Sequence, residues 1–401
     1  MATHGSLLTS AGAVSFAGLL SLAVAMGIGR FAFTPMLPFM LEDQLLSVAQ
    51  GAWLAAANYV GYFVGALLAA RIRLNAPTLA VASLAAIASV TAAMALPGAP
   101  LWAALRFSAG VFSAWVFVAT SVWCLGRLAQ LQRADLSAPV YSGVGVGIAA
   151  AGLYCLAADV AGVKSQHMWI HLGLLAAACT IPVVVVLRKS AIVALAAQAA
   201  VGERRDLPRG TRGLIVCYGI MGYGYILPAT FLPVLARSVV NDPAVFGWAW
   251  PVFGLMAAGS TLLAGMAIRH ASRLHVWAGC QFFMGLGTLL PSVWLHGASI
   301  FLAAILVGGT FMVITLAGVQ EIRARVSWSP AEWVGYLTAA FAIGQIAGPA
   351  LSFVLLTQPE LTSHALDLGL QSAAVLLVVS SMWIWRQAVP LKSRKELMNA
   401  H

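Results

Sequence analysis

Two arginines lie inside long apolar segments of this chain. Arg30 is deep within the first segment, and Arg106 lies about two helical turns inside the fourth. An arginine in the middle of a hydrocarbon layer costs about 2.5–3.5 kcal/mol on insertion scales, so it must face a partner or a watered cavity. No Asp or Glu lies in the middle of an apolar segment, so neither arginine has a predicted carboxylate partner. A guanidinium group binds a carboxylate or a phosphate through two parallel hydrogen bonds.

Each arginine therefore has two interpretations. In the first, the side chains of Arg30 and Arg106 lie roughly 5–7 Å apart in depth and bind one external anion together. In the second, each guanidinium donates to backbone carbonyls at a helix kink or a proline break. The sequence favours the first interpretation for Arg30 and leaves both open for Arg106.

A short pattern that contains Arg30 recurs in the second half of the chain. Residues 26–30 read MGIGR, residues 221–225 read MGYGY, and each copy is followed by a Leu-Pro pair. Arg30 corresponds to Tyr225, so we predict a cationic side and an aromatic, hydrogen-bonding side of one site. The second half offers Tyr223, Tyr225, Phe231, Phe311 and Gln345.

Two amide side chains also lie in mid-segment, Asn58 in the second segment and Gln345 in the eleventh. Each can line a pathway or form a hydrogen bond between two helices, and both uses remain open. The predicted substrate-binding residues are Arg30, Asn58, Arg106, Tyr223, Tyr225 and Gln345.

The elements that must position these residues are membrane-spanning helices. Hydrophobic residues make up 61% of the chain and charged residues 8%, against about 25% charged in soluble domains. Segments of about 20 apolar residues recur, each long enough to cross a hydrocarbon core of roughly 30 Å. We predict twelve spans, at 12–40, 50–70, 76–96, 100–125, 138–158, 168–187, 213–236, 246–268, 275–295, 298–320, 333–356 and 368–387.

The longest polar stretch, 188–212, divides these spans six and six. We therefore predict an all-α membrane protein with two pseudo-symmetric six-helix bundles, at 1–187 and 213–401, joined by a linker loop. An internal repeat of this kind is typical of secondary transporters.

The net charge of +10 indicates a membrane topology rather than nucleic-acid binding, because of its distribution. Of the 22 Lys and Arg residues, 18 fall in the loops and tail on one side of the predicted spans. Basic residues are retained on the cytoplasmic side of membranes, so we predict that both termini and the linker are cytoplasmic. The expected partners are a small-molecule substrate and membrane lipids with anionic headgroups, and we expect a monomer.

Glycines and prolines recur where helices would pack or bend. Small residues one turn apart allow membrane helices to approach closely, and a proline removes a backbone donor. We predict that these surfaces pack the helices and let the two halves rock between two arrangements. The residues assigned to packing and gating are Gly27, Gly29, Pro35, Pro38, Gly110, Gly143, Gly147, Gly344, Gly348 and Pro349.

Two halves of six helices joined by a basic loop resemble the major facilitator superfamily. Residues 106–110 (RFSAG) look like its fourth-helix Arg-x-x-x-Gly motif, and residues 344–349 (GQIAGP) look like its eleventh-helix Gly-Pro element. Ala69 stands where the Gly-x-x-x-Asp-Arg loop of that superfamily has its aspartate, so the usual charge relay is not expected here. Residues 27–38 resemble more narrowly the YbfB/YjiJ-type bacterial branch. This resemblance implies a transporter of the bacterial cytoplasmic (inner) membrane, without implying a substrate.

The expected function is secondary transport of a small organic anion, with a carboxylate as the expected type, by alternating access. No ATP-binding loop is visible, so a gradient or exchange would supply the energy, and exchange, uniport and proton co-transport all remain open. One alternative is efflux of apolar or anionic toxic compounds. Another is a non-transporting sensor or a membrane enzyme, although no acid, metal or nucleophile cluster is visible. We expect no metal and no cofactor.

Overall fold

The computed structural model describes residues 10–69, 71–72, 75–194, 206–239, 243–356 and 365–388. The side chains of these residues are described except at 189–194, 230–239, 243–247, 352–356 and 365. Twelve long helices follow one another in this part of the chain, as predicted. They are α1 (Ala11–Glu42), α2 (Val48–Ala69), α3 (Ala76–Ala93), α4 (Ala99–Gln130), α5 (Ser137–Val160), α6 (Ser165–Ala194), α7 (Thr211–Val239), α8 (Pro243–Ala267), α9 (Arg273–Val293), α10 (Gly297–Arg325), α11 (Pro330–Leu356) and α12 (Ala365–Ala388).

Eleven helices within the described ranges are long and apolar enough to cross a membrane. The fold class predicted from composition is therefore confirmed. Three helices run at least five residues past the ends of the predicted spans 100–125, 168–187 and 298–320, because an established helix gains one bond for each residue added. Helix α6 continues to Ala194 and α7 begins at Thr211, so helical residues extend into both ends of the predicted linker 188–212.

The two six-helix halves repeat the same packing. In the first half α2 packs on α4, α3 packs on α4 and α6, and α1 packs on α5. In the second half α8 packs on α10, α9 packs on α10 and α12, and α7 packs on α11. The halves meet where α5 contacts α8 and where α2 contacts α11. This correspondence gives the pseudo-symmetry expected from the sequence repeat.

Helix α1 is the irregular member of the set. It is α-helical over Ala11–Leu22, π-helical over Ala23–Phe31 and α-helical again over Phe33–Glu42. Pro35 lacks the N–H that would bond the carbonyl of Phe31 in an α-helix or that of Arg30 in a π-helix. Single-turn π segments are frequent at functional sites, and this one carries the first copy of the repeat. Pro38 and Pro349 lie inside the α-helical segments Phe33–Glu42 and α11.

Glycine pairs on α5 and α11 set the distance to α1 and α7. A methyl group at Gly143 or Gly147 would overlap the α1 backbone at Leu19 or Ala23. In the second half a methyl group at Gly344 would overlap the α7 backbone, and one at Gly348 would lie 2.5 Å from the Ile226 side chain. Equivalent methyl groups at Gly27 and Gly110 would overlap the backbones of α5 and α2, and one at Gly29 would lie 2.8 Å from the Ser113 hydroxyl.

One end of the bundle carries Arg133, Arg269, Arg273 and Arg325, and is called the basic end below. Polar contacts join the two halves there. Arg269 pairs with Asp135 at 3.1 Å, and Gln320 donates to the Ser137 hydroxyl at 2.6 Å. The halves are thus in direct contact at the basic end.

Candidate functional site

Arg106 stabilises the irregular segment of α1. Its side chain crosses from α4 and donates from Nη1 to the carbonyl oxygen of Gly29 at 2.9 Å, and from Nη2 to that of Arg30 at 3.0 Å. Both carbonyls lie near the end of the π-helical segment, and Pro35 lacks the N–H that would bond the Arg30 carbonyl in a π-helix. The guanidinium carbon also lies 4.7 Å from the centroid of the Phe33 ring. The structure therefore shows the carbonyl-binding interpretation of Arg106, and its side chain does not converge with that of Arg30 on one position.

Arg30 lies between the two halves and bonds to both. Its Nη2 donates to Gln345 Oε1 on α11 at 2.6 Å, and its Nε donates to Asn58 Oδ1 on α2 at 3.4 Å. Its guanidinium carbon lies 3.8 Å from the centroid of the Tyr62 ring, within cation–π distance. Arg30 is only 3% exposed, and no carboxylate pairs with it among the described residues. Neutral oxygens and a ring face therefore hold a buried positive charge.

Asn58 connects the two arginines. Its Oδ1 accepts from Arg30, and its Nδ2 donates to the carbonyl oxygen of Arg106 at 2.9 Å. Asn58 is fully buried. The amide thus forms a bond between helices and fixes the orientation of Arg30 relative to α4.

Aromatic residues of the second half pack around Phe31, the neighbour of Arg30 on α1. Tyr225 is fully buried, stacks on Phe311 with 4.8 Å between ring centroids, and meets Phe31 edge-on at 6.3 Å. Trp250 stacks on Phe253 at 5.5 Å and meets Phe31 at 6.5 Å. The aromatic cluster consists of Phe31, Tyr225, Trp250, Phe253, Phe311 and Phe341.

Several buried polar atoms of this region have no hydrogen-bond partner in the described part of the chain. They are Arg30 Nη1, Gln345 Nε2, Tyr225 Oη and Trp250 Nε1. Most buried polar atoms in native proteins are hydrogen-bonded, so each of these needs an explanation. The three nitrogens can only donate, and the phenol can donate as well. The region therefore has a surplus of donors, and a ligand that supplies acceptors would satisfy it.

The sequence predicted six binding residues, and the structure brings five of them together. These are Arg30, Asn58, Arg106, Tyr225 and Gln345. Tyr223 lies elsewhere, because its hydroxyl is 2.7 Å from that of Ser372 on α12. With about 3.6 residues per turn, positions two apart face nearly opposite sides of a helix, so Tyr223 cannot share a site with Tyr225. The side chain of Phe231 lies outside the described residues.

Sequence reasoning missed three neighbours of Arg30 and Tyr225. Tyr62 lies one turn after Asn58, and Phe341 lies one turn before Gln345, so the spacing of one helical turn could have identified both. No comparable signal marks Trp250, which reaches the site because α8 packs against α5. In the part of the chain that the structure describes, no group of His, Cys, Asp and Glu is arranged to hold a metal ion.

Known proteins share this architecture. A family model described as "Uncharacterised MFS-type transporter YbfB" matches residues 22–386. A search of curated proteins gives no match. Among solved structures, the human organic anion transporter MFSD10 (TETRAN) superposes with a TM-score of 0.69 at 13% identity, over 93% of this chain and 98% of that chain. At this identity the likeness shows a shared fold.

Proposed function

The chain belongs to the YbfB-type transporter family of the major facilitator superfamily, and from that premise we propose that it carries a small organic anion across the membrane by alternating access. The proposed ligand is a carboxylate with an apolar or aromatic body. Arg30 is the proposed binding cation, and the aromatic cluster is the proposed surface for the body of the ligand. The organic anion transporter that shares the fold agrees with this assignment.

The observation that carries the proposal is the buried and incompletely bonded guanidinium of Arg30. Its charge is buried, it has no carboxylate partner among the described residues, and its Nη1 has no hydrogen bond there. A buried ion without compensation is expensive. A ligand carboxylate would supply both the missing charge and the missing acceptor, through the parallel bonds that guanidinium groups form.

Binding of an anion at Arg30 would also change the contact between the two halves, because Arg30 bonds Gln345. This bond joins α1 of one half to α11 of the other near the middle of the bundle. A carboxylate carries a full negative charge and can accept two parallel bonds from one guanidinium, which a single amide oxygen cannot, so an arriving carboxylate would displace the amide oxygen from Arg30. Binding would then replace a direct contact between the halves with contacts to the ligand. This exchange is the proposed link between occupancy and the movement of the halves.

We also propose that the basic end faces the bacterial cytoplasm and that both termini lie there. The support is the distribution of Lys and Arg, since 18 of 22 fall on that side. In this orientation the structure is closed toward the cytoplasm, through contacts such as Arg269–Asp135. A single cysteine placed at position 200 should label only after the membrane is made permeable, and labelling from outside intact cells would contradict the orientation.

The experiment that tests the substrate class compares an anion, a neutral amide and a cation that each carry one phenyl ring. Purified protein is titrated with benzoate, benzamide and benzyltrimethylammonium, and stabilisation against heat is measured. A ligand at about one hundred times its Kd stabilises the native state by about 2.7 kcal/mol, so binding is visible. We expect benzoate to bind best. A cation about 4 Å from Arg30 would be repelled by about 4 kcal/mol at an effective dielectric constant of 20, so benzyltrimethylammonium should not bind. Tightest binding of this quaternary ammonium ion would contradict the proposal.

A further inference from the structure

A cavity of ≈ 400 Å³ lies at the basic end, between the two halves. Its polar side chains come from both halves, and its volume is in the range of clefts that hold small ligands. The charged residues that line it are Asp135, Arg269, Arg273 and Arg323.

Arg323 differs from the four arginines that define the basic end. Arg133 and Arg269 pair with Asp135 at 3.0 Å and 3.1 Å. Arg273 and Arg325 pair with Glu321 at 3.0 Å and 2.8 Å. Within the described ranges, no carboxylate pairs with Arg323.

The contacts of Arg323 are weak substitutes for an anion. Its Nη1 donates to the carbonyl oxygens of Ser121 and Val122 on α4, at 2.5 Å and 3.1 Å. Both carbonyls belong to the continuous helix Ala99–Gln130, where regular bonding already occupies one lone pair of each oxygen. The guanidinium therefore uses second acceptor positions and can leave them without breaking a helical bond.

Arg323 lies on the same helix as one residue of the aromatic cluster. This residue is Phe311 of α10, and the twelve intervening steps correspond to about 18 Å along the helix. Its side chain spans the interface between the halves, as the side chain of Arg30 does. Both guanidinium groups thus bridge the halves through neutral oxygen acceptors.

We propose that Arg323 forms a second binding site for small carboxylates, in the cavity at the basic end. An anion that enters this cavity would displace the guanidinium from the carbonyls of α4. The negative charge of Asp135 is offset there by two arginines. The inference rests on the proposed function only for the identity of the ligand class, because the cavity and its charge are independent of Arg30.

The test uses benzoate as the probe and a cysteine as the reporter. Ala129 is exposed and lines the cavity, so Ala129→Cys is labelled with a thiol-specific methanethiosulfonate reagent, and labelling of the parent chain is subtracted. Benzoate at about ten times its Kd should slow labelling about tenfold, because the rate follows the unoccupied fraction. Benzamide should not slow it. Failure of benzoate to protect at any soluble concentration would overturn the proposal.

Matched variants identify the residue responsible. Arg323→Gln should remove the protection, and Arg323→Lys should keep part of it, which separates loss of charge from failure to fold. Arg273→Gln removes one charge from the same cavity but leaves Arg323 in place, so protection should persist. Equal loss of protection in both Gln variants, or protection that survives Arg323→Gln, would overturn the proposal.

A further variant separates this inference from the proposed function. Arg30→Gln should leave the protection of Ala129→Cys intact, since the cavity site does not use Arg30. Loss of the protection in Arg30→Gln would contradict a separate second site. The proposed function fails separately: if Arg30 does not bind the anion, Arg30→Gln will bind benzoate between the halves as tightly as the parent chain does. This position beside Arg30 is called the central site.

Discussion

The two copies of the repeated pattern occupy equivalent helices but differ in backbone and in charge. Residues 26–30 lie in the π-helical stretch of α1, whereas residues 221–225 lie in the regular helix α7. Each copy is approached closely by a glycine pair, from α5 on one side and from α11 on the other. Arg30 ends the first copy and Tyr225 ends the second. The same scaffold therefore presents a cation in one half and an aromatic ring in the other.

The difference extends to the helices that support each copy. Arg106 of α4 donates to two carbonyls of the irregular α1 segment, including that of Arg30, which Pro35 cannot bond. Alignment of residues 110–112 (GVF) with residues 309–311 (GTF) places Ile305 of α10 opposite Arg106. Ile305 is apolar, which agrees with the regular backbone of α7. Pseudo-symmetry thus explains the packing, and the departures from it explain the chemistry. Each prediction below alters one side of this comparison.

The largest effect is expected at Arg30. Arg30→Ala should abolish transport of benzoate while the protein still inserts and folds, because the proposed cation of the central site is lost. Losing charge-assisted hydrogen bonds of about 3 kcal/mol corresponds to about a hundredfold weaker binding. Arg30→Lys should also be badly impaired, since an ammonium group cannot form the two parallel bonds. Uptake into proteoliposomes measures both variants, and normal uptake by Arg30→Ala would leave this arginine with a structural role only.

The next largest effect is expected at Arg106, which bonds two carbonyls of the irregular segment of α1. Arg106→Met leaves two buried carbonyls without their donor, which costs about 1–3 kcal/mol for each unsatisfied group. We expect a lower thermal unfolding temperature together with weakened transport. Ile305→Met is the matched change in the second half and should have little effect on either. Equal destabilisation by the two substitutions would contradict the asymmetric support.

Substitutions of Gln345 alter the contact between the halves beside Arg30. Gln345→Glu places a carboxylate beside Arg30, so an internal anion occupies the position proposed for the ligand. Benzoate binding should weaken about tenfold or more at neutral pH, while the protein becomes more resistant to heat. Gln345→Ala removes the competing amide and should keep benzoate binding. Parent-like affinity in Gln345→Glu, measured by calorimetry, would argue against displacement of Gln345 by the ligand.

The smallest effect is expected on the aromatic side. Tyr225→Ala opens the aromatic cluster, so the affinity for bulky aromatic acids should fall more than the affinity for acetate. Burial of apolar area contributes about 25 cal/mol per Å², which makes the loss grow with the size of the ligand. Tyr223→Phe is the control, because Tyr223 bonds Ser372 instead of facing Arg30. A size-dependent loss in Tyr223→Phe would contradict the placement of these two tyrosines.

The helices and the two sides of the site follow from sequence patterns, whereas the contacts of individual side chains do not. The twelve helices follow from apolar segment length, and the pairing of Arg30 with Tyr225 follows from the repeat. The role of Arg106 could not be decided, because an arginine near a proline break serves a ligand or a carbonyl equally well. The prediction that Tyr223 shares the site with Tyr225 was wrong, because the repeat groups the two tyrosines and does not include the helical rotation that separates them. Trp250 could not be predicted, since its position depends on contact between the halves.

The most direct test of the central claim measures whether Arg30 is what distinguishes an acid from its amide. Binding of benzoate and benzamide is measured on the parent chain and on Arg30→Gln, both in the Arg323→Gln background, so that the second site does not contribute. We expect the parent to prefer benzoate about tenfold or more, because the guanidinium attracts the full charge of the carboxylate and forms two parallel bonds with it; a tenfold preference corresponds to about 1.4 kcal/mol. We also expect this preference to disappear in Arg30→Gln. An unchanged preference in Arg30→Gln would contradict the assignment of Arg30 as the binding cation.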